Sequence, residues 1–387
     1  MKITVDPKSF VEAVVWVSKG LDKKGGNANI VLELDENGEC VLSHQNSFAY
    51  MKSPVDVTSI EDGEKTQVVL SGEFMTKMTK AFSQSKTDIT LDYDSKTSLS
   101  ASNGNGKFKI PVMKSPVQSK PEPEVLGEVN DAEYFNSILR VSKLCDSVNE
   151  GNIKALSAVD LTVNHADGAL KMMATDRYAL GEITLEFDAE SDEEGDQHYL
   201  IPQANSSLIS PTKGSSDTIK IVYDSKNSKF GYQFVDGREA LFVLQDADPI
   251  PYANMKNATS KMVDKGTIVN TKELTKTMGI IASVDPDDDS MRWTIDPDGT
   301  FRVHDKTSTN SIGLEDVSSD DFDDAVTLTL LRPVINAALS AVSSNSVKIK
   351  WRSDKSDKAP IILSPVLDNG EDDENTFLLA NTKNKGK

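Results

Sequence analysis

One short pattern begins three separate stretches of this chain, and it limits the folds that the chain can adopt. The sequences "VDPKSF" (5–10), "VNDAEY" (129–134) and "VNTKEL" (269–274) each give valine, then Asp or Asn, then three polar or small residues, then a large apolar one. This is the order of a strand end, a helix N-cap and a first helical turn. Repetition at this spacing predicts a set of similar domains and not one continuous core.

The segments after these helix starts support the same repeat. Apolar residues recur three or four positions apart, as at Phe10, Val14 and Val17, which predicts helices with one buried face. Hairpin signals follow each helix: "DENGE", "NHADG" and "DPDG". A second helix start recurs out of phase, so that the chain contains six strand–helix–hairpin units in three pairs. The fourth helix is the weakest, because Pro211 and a run of serines interrupt its period.

Two proline-rich stretches mark the boundaries between the pairs. "KSPVQSKPEPE" (114–124) and "DADPIPYANMKNATSK" (246–261) are predicted to be extended linkers. A chain of 387 residues is longer than one core normally supports. We therefore predict an α+β fold of three repeated domains, 1–124, 125–262 and 263–387, each with two helices on one face of antiparallel sheets.

The charge of the chain is strongly negative, yet the predicted helices are slightly basic. The net charge is -19, and the acidic residues collect in predicted loops such as 188–196 and 315–324. Cations recur at helical spacing on the faces opposite the apolar stripes: Lys77, Lys80, Arg140, Lys143, Lys272 and Lys276. A basic surface inside an acidic body suits loose, sequence-independent contact with a phosphate backbone.

At this point the sequence resembles that of the bacterial sliding clamp, the beta subunit of DNA polymerase III, in a divergent form such as phages carry. The likeness is based on the threefold repeat, on "MATDRYALGEI" (173–183), on "KFKIPVMKSP" (107–116) and on the aromatic-proline linker near Tyr252. The resemblance implies a head-to-tail homodimer, closed into a ring that encircles duplex DNA and tethers a polymerase. It implies no catalytic residue, no metal and no cofactor, and it adds Lys23 and Lys24 to the DNA-facing cations. A cytoplasmic location is expected because residues 1–6 lack the features of a signal peptide.

The resemblance also implies a groove that receives short linear peptides of the polymerase and the clamp loader. Carried over by position, its residues are Leu156, Thr175, Arg177, Tyr178, Leu180, Met255, Leu378 and Leu379. The sequence departs from the family at two points: Ala179 replaces an arginine, and Ala380-Asn381 replaces a Met-Pro pair. The peptide preference is therefore expected to differ.

Three other functions compete with the clamp. Catalysis at Thr175-Asp176-Arg177 has little support, because no Ser, Cys or His stands nearby in a nucleophile setting. A metal-dependent nuclease or hydrolase would use Asp285–Asp289 and Asp296–Asp298, but neither stretch has the full spacing of a calcium loop. A role as a clamp-fold recruiting platform outside replication stays an open alternative.

No apolar run is long enough to span a membrane.

Overall fold

The structure is a computed structural model. It describes residues 1–22, 28–95, 97–104, 106–116, 118–146, 153–190, 195–209, 217–261, 263–315, 317–352 and 360–380, without the side chains of 94, 95, 253 and 255. Lys23 and Lys24 lie outside these ranges.

The described residues contain seven α-helices, one short 3-10 helix and 27 strands. The helices are α1 (Pro7–Ser18), α2 (Gly72–Phe82), α3 (Asp131–Ser142), α4 (Gln203–Ser206), α5 (Tyr252–Ser260), α6 (Thr271–Val284) and α7 (Arg332–Ser340), and the 3-10 helix is Lys154–Ser157. The strands are β1 (Lys2–Val5), β2 (Asn29–Leu34), β3 (Cys40–Gln45), β4 (Ala49–Val55), β5 (Val57–Asp62), β6 (Thr66–Ser71), β7 (Ile89–Ser95), β8 (Ser98–Asn103), β9 (Gly106–Pro111), β10 (Glu124–Asn130), β11 (Ala158–Asn164), β12 (Ala169–Thr175), β13 (Ala179–Glu186), β14 (Asp188–Ala189), β15 (Asp196–Pro202), β16 (Thr218–Asp224), β17 (Lys229–Phe234), β18 (Glu239–Val243), β19 (Lys265–Asn270), β20 (Ser290–Ile295), β21 (Phe301–Asp305), β22 (Ser311–Leu314), β23 (Ser318–Ser319), β24 (Val326–Leu331), β25 (Ser346–Trp351), β26 (Ile361–Val366) and β27 (Thr376–Ala380).

The chain divides into two compact units. Unit 1 comprises Met1–Asp131, Asp188–Ser191 and Gly214–Leu244, and unit 2 comprises Ala132–Phe187, Asp192–Lys213 and Gln245–Lys387. The strands of the predicted second domain are therefore distributed over both units. The division into three domains at 124/125 and 262/263 stays a prediction.

Unit 1 contains two antiparallel sheets. The smaller has the order β5-β1-β7-β8-β9, and the larger has the order β14-β10-β16-β17-β18-β4-β3-β2-β6. Helix α1 packs on β3, β4 and α2 and buries Phe10, Ala13, Val14 and Val17. These residues are spaced three and four apart, as the sequence predicts for one buried face.

Unit 2 also contains two antiparallel sheets, with different numbers of strands. Its nine-stranded sheet has the order β15-β11-β12-β13-β27-β26-β25-β19-β23, and its four-stranded sheet has the order β22-β21-β20-β24. Helix α6 packs on β21 and β22, and α7 packs on β13 and β27. The indoles of Trp293 and Trp351 are fully buried in this unit.

The predicted helix starts are confirmed where the structure gives their caps. The Asp6 carboxylate accepts a hydrogen bond from the Ser9 amide at 2.7 Å, and the Asn270 side chain accepts one from the Glu273 amide at 3.0 Å. Pro7 occupies the first helical turn, where its missing N–H costs nothing. The α+β class, with antiparallel sheets, is confirmed as well.

Two predictions for local structure need correction. The stretch 246–261 was expected to be extended, but it forms helix α5 from Tyr252 onward, because Pro251 is its last helix-breaking residue. The fourth predicted helix has only the four residues of α4. Residues 210–216, which include Pro211, lie outside the described ranges.

Among the helices that the structure describes, none has the length and apolar character needed to cross a membrane.

Candidate functional site

The turn between β12 and β13 is held by the side chains of its own residues. The Asp176 carboxylate accepts hydrogen bonds from the Tyr178 amide at 2.9 Å and the Ala179 amide at 2.7 Å. The Thr175 hydroxyl accepts from the Arg177 amide at 3.0 Å and donates to the Ala179 carbonyl oxygen. Side-chain bonds of this kind to nearby amides are typical of turn-forming Asp and Thr. Thr175 and Asp176 therefore shape the turn.

Arg177 lies at the tip of this turn in an unusual backbone conformation. Its φ is 78°, in the left-handed region that favours glycine. Its side chain is exposed, and one guanidinium nitrogen is 4.0 Å from a carboxylate oxygen of Asp146. A non-glycine residue in this region stores backbone strain. The turn thus holds Tyr178, which is half-buried, at a cost in stability.

Beneath the turn lies an apolar cluster that belongs entirely to unit 2. Leu180 pairs with Leu379 across the β13–β27 ladder, and Ile362 pairs with Leu379 across β26–β27. Tyr252 and Phe377 complete this buried cluster, and Met173, Ile250 and Val263 pack against it while staying partly exposed. The partly exposed side chains give the cluster an apolar surface that an extended peptide could cover. We call Leu180, Tyr252, Ile362, Phe377 and Leu379 the groove floor.

The structure brings together some of the predicted groove residues and separates others. Leu180 and Leu379 both lie in the groove floor, whereas the side chain of Leu378 points to the opposite face of the sheet, toward Leu144. Leu156 is buried in the short 3-10 helix. Met255 lies in α5, but its side chain is outside the described part of the chain.

A buried carboxylate lies on β11, next to the groove floor. Asp160 is 1% exposed, and one of its oxygens is 3.0 Å from Nδ1 of His198. Its other oxygen has no hydrogen-bond partner among the described residues. Burial raises the pKa of the Asp160 carboxyl, and the imidazole of His198 opposes part of that rise. Burial, helped by the charge of Asp160, also raises the pKa of the Tyr252 phenol.

A charged pair forms one rim of the floor. The ammonium group of Lys256 binds the carboxylate of Glu182 and lies 5.5 Å from the centre of the Phe377 ring. The aliphatic stem of Lys256 can therefore cover apolar surface while its charge is paired.

The predicted DNA-facing cations have two different surroundings. Lys80, Lys272 and Lys276 are exposed on α2 and α6, and Lys77 is exposed but paired with Glu73 four residues earlier. On α3, Arg140 and Lys143 instead donate to the carbonyl oxygens of Ala341 and Ser340 at 3.4 and 3.2 Å, at the end of α7. Cations at a helix C-terminus are favoured there by the unpaired carbonyls and the helix dipole.

The acidic stretches that could have held a metal are used in turns and ion pairs. Asp288 accepts from the Ser290 amide and pairs with Lys306 at 3.1 Å, and Asp298 accepts from the Thr300 amide. Backbone hydrogen bonds to both carboxylates lower their pKa values. Within the described ranges, no group of three or more His, Cys, Asp or Glu side chains is arranged to hold a metal ion.

Comparison with solved structures gives close matches over the whole chain. A Helicobacter pylori beta clamp bound to a DNA ligase peptide matches with a TM-score of 0.79 at 16% identity, covering 99% of this chain and 100% of that one. The DNA polymerase III subunit beta of Pseudomonas aeruginosa matches with a TM-score of 0.79 at 11% identity, with the same coverage. A putative DNA polymerase III beta subunit from Eubacterium rectale matches with a TM-score of 0.79 at 15% identity, covering 100% of this chain and 99% of that one.

This chain has the fold of the DNA polymerase III beta-subunit sliding clamps. The sequence resemblance predicts this fold, and the prediction is confirmed. No protein-family model and no curated protein sequence matches the chain. At these identities the likeness establishes the fold alone.

Three residues of the groove floor, Tyr252, Ile362 and Phe377, were absent from the predicted groove residues. Phe377 is two positions before Leu379 on β27, so alternation along a strand places both on one face and could have identified it. Tyr252 is the one aromatic residue of the stretch 246–261. Its burial against Leu180 depends on helix α5, which the sequence did not predict.

Proposed function

We propose that this protein is a DNA sliding clamp: a ring that encircles duplex DNA without reading its sequence and tethers a polymerase through short linear peptides. The observation that carries the proposal is the agreement of the whole chain with beta-subunit clamps, at 99% coverage or more of both chains. A clamp acts by topology, so the protein needs no catalytic group, and we propose that it is not an enzyme and acts in the cytoplasm.

The groove floor supports the peptide-binding part of the proposal. One of the matched clamps is bound to a DNA ligase peptide. Here the floor offers apolar side chains beside Tyr178, with polar atoms in the turn at Asp176, which is the combination that anchors an extended peptide. Tyr178 is the accessible side chain beside the groove floor, whereas Leu180 and Leu379 are buried and stabilise the floor.

Ring closure requires a second copy of the chain, and two edge strands suit this role. Strand β9 ends the five-stranded sheet of unit 1, and β22 ends the four-stranded sheet of unit 2. We propose that β9 of one copy pairs with β22 of its partner, and that β9 of the partner pairs with β22 of the first copy. These two interfaces close the ring. Lys107 and Lys109 are exposed on β9, and the exposed Glu315 directly follows β22, so the charges are complementary.

Two measurements test the ring. Light scattering in solution should give the mass of a dimer, and a monomer at micromolar concentration would contradict closure through β9 and β22. The double change Lys107→Glu and Lys109→Glu on β9 should shift the protein toward monomer, because it sets like charges against Glu315 at the proposed interface. Lys8→Glu, the same charge reversal at an exposed position on α1, is the control and should stay dimeric.

Encirclement is tested on linear DNA, where no loader is needed. A ring can thread over the free ends of a duplex, after which streptavidin is bound to biotin at both ends. The protein should then stay on the DNA through a wash at 0.5 M salt and should be released when a restriction enzyme frees one end. Equal retention before and after cleavage would refute encirclement. Single changes of Lys80, Lys272 or Lys276 to Ser should alter retention little, because contact with phosphates is shared among many cations.

A fluorescent peptide containing Asp-Asp-Leu-Phe, whose apolar pair suits the groove floor, tests the groove. Tyr178→Ala should weaken its binding by about tenfold, the loss of one anchoring contact of about 1.4 kcal/mol. Lys80→Ser on α2 should leave the affinity unchanged. Binding of the peptide with full affinity to Tyr178→Ala would place the peptide elsewhere, without contradicting the ring.

A further inference from the structure

Unit 1 contains a cavity for which the proposed function gives no role. Its volume is about 450 Å³, and it lies on the faces of β2, β3, β4 and β6, under the segment that follows β9. All of its lining residues belong to unit 1.

The strand registers show that this cavity is the counterpart of the groove in unit 2. Gln45 pairs with Tyr50 across β3–β4, as Thr175 pairs with Leu180 across β12–β13. The amide of Met113 donates to the Val69 carbonyl at 2.8 Å, and that of Gln245 donates to Leu200 at the same distance. The two sites thus have the same arrangement of strands, turn and covering segment, and these positions in one site correspond to positions in the other.

The turn above the cavity is also built in the same way. The Asn46 side-chain oxygen accepts from the Phe48 amide at 2.8 Å and the Ala49 amide at 2.7 Å, as Asp176 does for Tyr178 and Ala179. Phe48 therefore occupies the position of Tyr178. Phe48 is 67% exposed, and it borders the cavity.

The two sites differ in the side chain that lies above the sheet. In unit 2, Tyr252 lies over Leu180 and closes the floor. Tyr252 lies seven residues after Gln245, and the residue seven positions after Met113 in unit 1 is Lys120. The Lys120 ammonium group forms an ion pair with Glu33 at 2.8 Å. With no aromatic ring in that position, the space above Tyr50, Val31 and Val69 stays open.

The lining of the cavity selects for an uncharged ligand. Its charged residues are Asp22 and Lys120, one of each sign, and Lys120 is already paired. The side-chain amides of Gln45 and Gln118 line the cavity and form no side-chain hydrogen bond with another described residue. These amides can each donate and accept, so they suit a ligand that carries amides or hydroxyls beside an apolar group.

We propose that this cavity is a second peptide-binding site, distinct from the groove in unit 2. It takes an extended, uncharged peptide in which a Leu or Phe packs on Phe48 and Tyr50 and a neighbouring Gln or Ser bonds with Gln45 and Gln118. The unit 2 groove offers an apolar floor in place of these amides, so the two sites select different peptides. The proposal depends neither on ring closure nor on peptide binding in unit 2.

The test uses two acetylated and amidated peptides, Gly-Gln-Ser-Leu-Phe-Gly and Gly-Asp-Asp-Leu-Phe-Gly, with the full chain. Amide NMR signals of 45–50 and of Val31 and Val69 should shift with the first peptide, and the second should bind about tenfold more weakly there. Phe48→Ala, at an exposed position, should weaken the first peptide in unit 1 by about tenfold. Phe48→Leu should restore most of the affinity.

Tyr178→Ala is the matched control, because it changes the same turn position in unit 2. It should leave the shifts in unit 1 unchanged. Shifts confined to unit 2, no shifts at millimolar peptide, or an affinity in unit 1 unchanged by Phe48→Ala would each overturn the proposal. In the unchanged protein, shifts in unit 1 without any shifts in unit 2 would count against the proposed groove and leave this site intact.

Discussion

The β3–β4 turn of unit 1 and the β12–β13 turn of unit 2 are one design with two outcomes. In both, a single side-chain oxygen, from Asn46 or Asp176, holds the two amides that follow the tip. Under the second turn the floor is closed by Tyr252 and Phe377, and under the first it is an open, polar cavity. The turn therefore positions an aromatic residue in both units, and the side chains below it decide what can bind.

The largest difference in the cost of substitution is expected at Gly231, where unit 2 has the larger residue Ile362. Gly231 pairs with Leu241 in unit 1 at the position that Ile362, paired with Leu379, occupies in unit 2. A Cβ atom on Gly231 would lie 1.8 Å from the Ala240 carbonyl oxygen, so Gly231→Ala must displace backbone. We expect it to lower the free energy of unfolding by about 3 kcal/mol.

Ile362→Val is the matched change in unit 2, because it also alters one carbon atom. It should cost only about 1 kcal/mol. Urea unfolding followed by circular dichroism measures both. An equal cost would mean that the close approach at Gly231 does not control the packing of unit 1.

The two turn oxygens should not be interchangeable. The amide nitrogen of Asn46 donates to the Gly20 carbonyl at 2.9 Å and lies 3.1 Å from the His44 ring, contacts that a carboxylate cannot make. Asn46→Asp should therefore cost about 2 kcal/mol, because it loses these bonds and sets an anion against a carbonyl oxygen.

Asp176→Asn keeps the acceptor that holds the Tyr178 and Ala179 amides, so its cost should be about 0.5 kcal/mol. Thermal unfolding of the two variants at one pH gives the comparison. A larger cost for Asp176→Asn than for Asn46→Asp would contradict the roles assigned to the two turns.

The buried carboxylate is the next difference. Val31 pairs with Ser43 and Val69, as Asp160 pairs with Met173 and Leu200, so Asp160→Val gives unit 2 the residue of unit 1. The variant should be about 1 kcal/mol more stable at pH 7, because it removes an incompletely paired buried charge, while His198 is exposed enough to be hydrated.

The pH dependence of that gain has a definite sign. The folded-state pKa of Asp160 is raised above 3.8, so the folded protein binds this proton more tightly than the unfolded chain. The wild-type protein therefore loses stability as the pH rises from 3.8 through the raised pKa. The advantage of Asp160→Val should be present at pH 7 and shrink on acidification toward pH 3.8, and a constant advantage would contradict this account.

The smallest effect is expected at the turn tip. Arg177 has a φ of 78°, whereas Ser47 at the same position in unit 1 is not among the described non-glycine residues with positive φ. Arg177→Gly should raise the free energy of unfolding by about 0.7 kcal/mol through relief of strain. Ser47→Gly should lower it by a similar amount, through the greater freedom of the unfolded chain. Chemical denaturation measures both signs, and a stabilising Ser47→Gly would contradict the explanation.

Much of the fold could be predicted from the sequence because its signals are local. The caps at Asp6 and Asn270 and the alternation of apolar residues depend on neighbours a few positions away. The groove floor was predicted only in part, because it joins residues from distant strands. Leu180 and Leu379 came from the resemblance, whereas Ile362 and Phe377 become neighbours of Leu180 only through the order β13-β27-β26. The cavity of unit 1 has no local signal, since it results from the absence of a ring.

The place of β27 in its sheet has a consequence for how the chain folds during synthesis. It lies between β13 and β26, and β13 is made about 200 residues earlier. At ribosomal speeds of about 5–20 residues per second, the edge of β13 waits ~10–40 s for its neighbour. All strands of unit 1 have been made by Val243, so unit 1 can fold on the ribosome while unit 2 still exposes an open strand edge. Chaperones are thus expected to bind the nascent chain at β13, beside the turn that carries Tyr178.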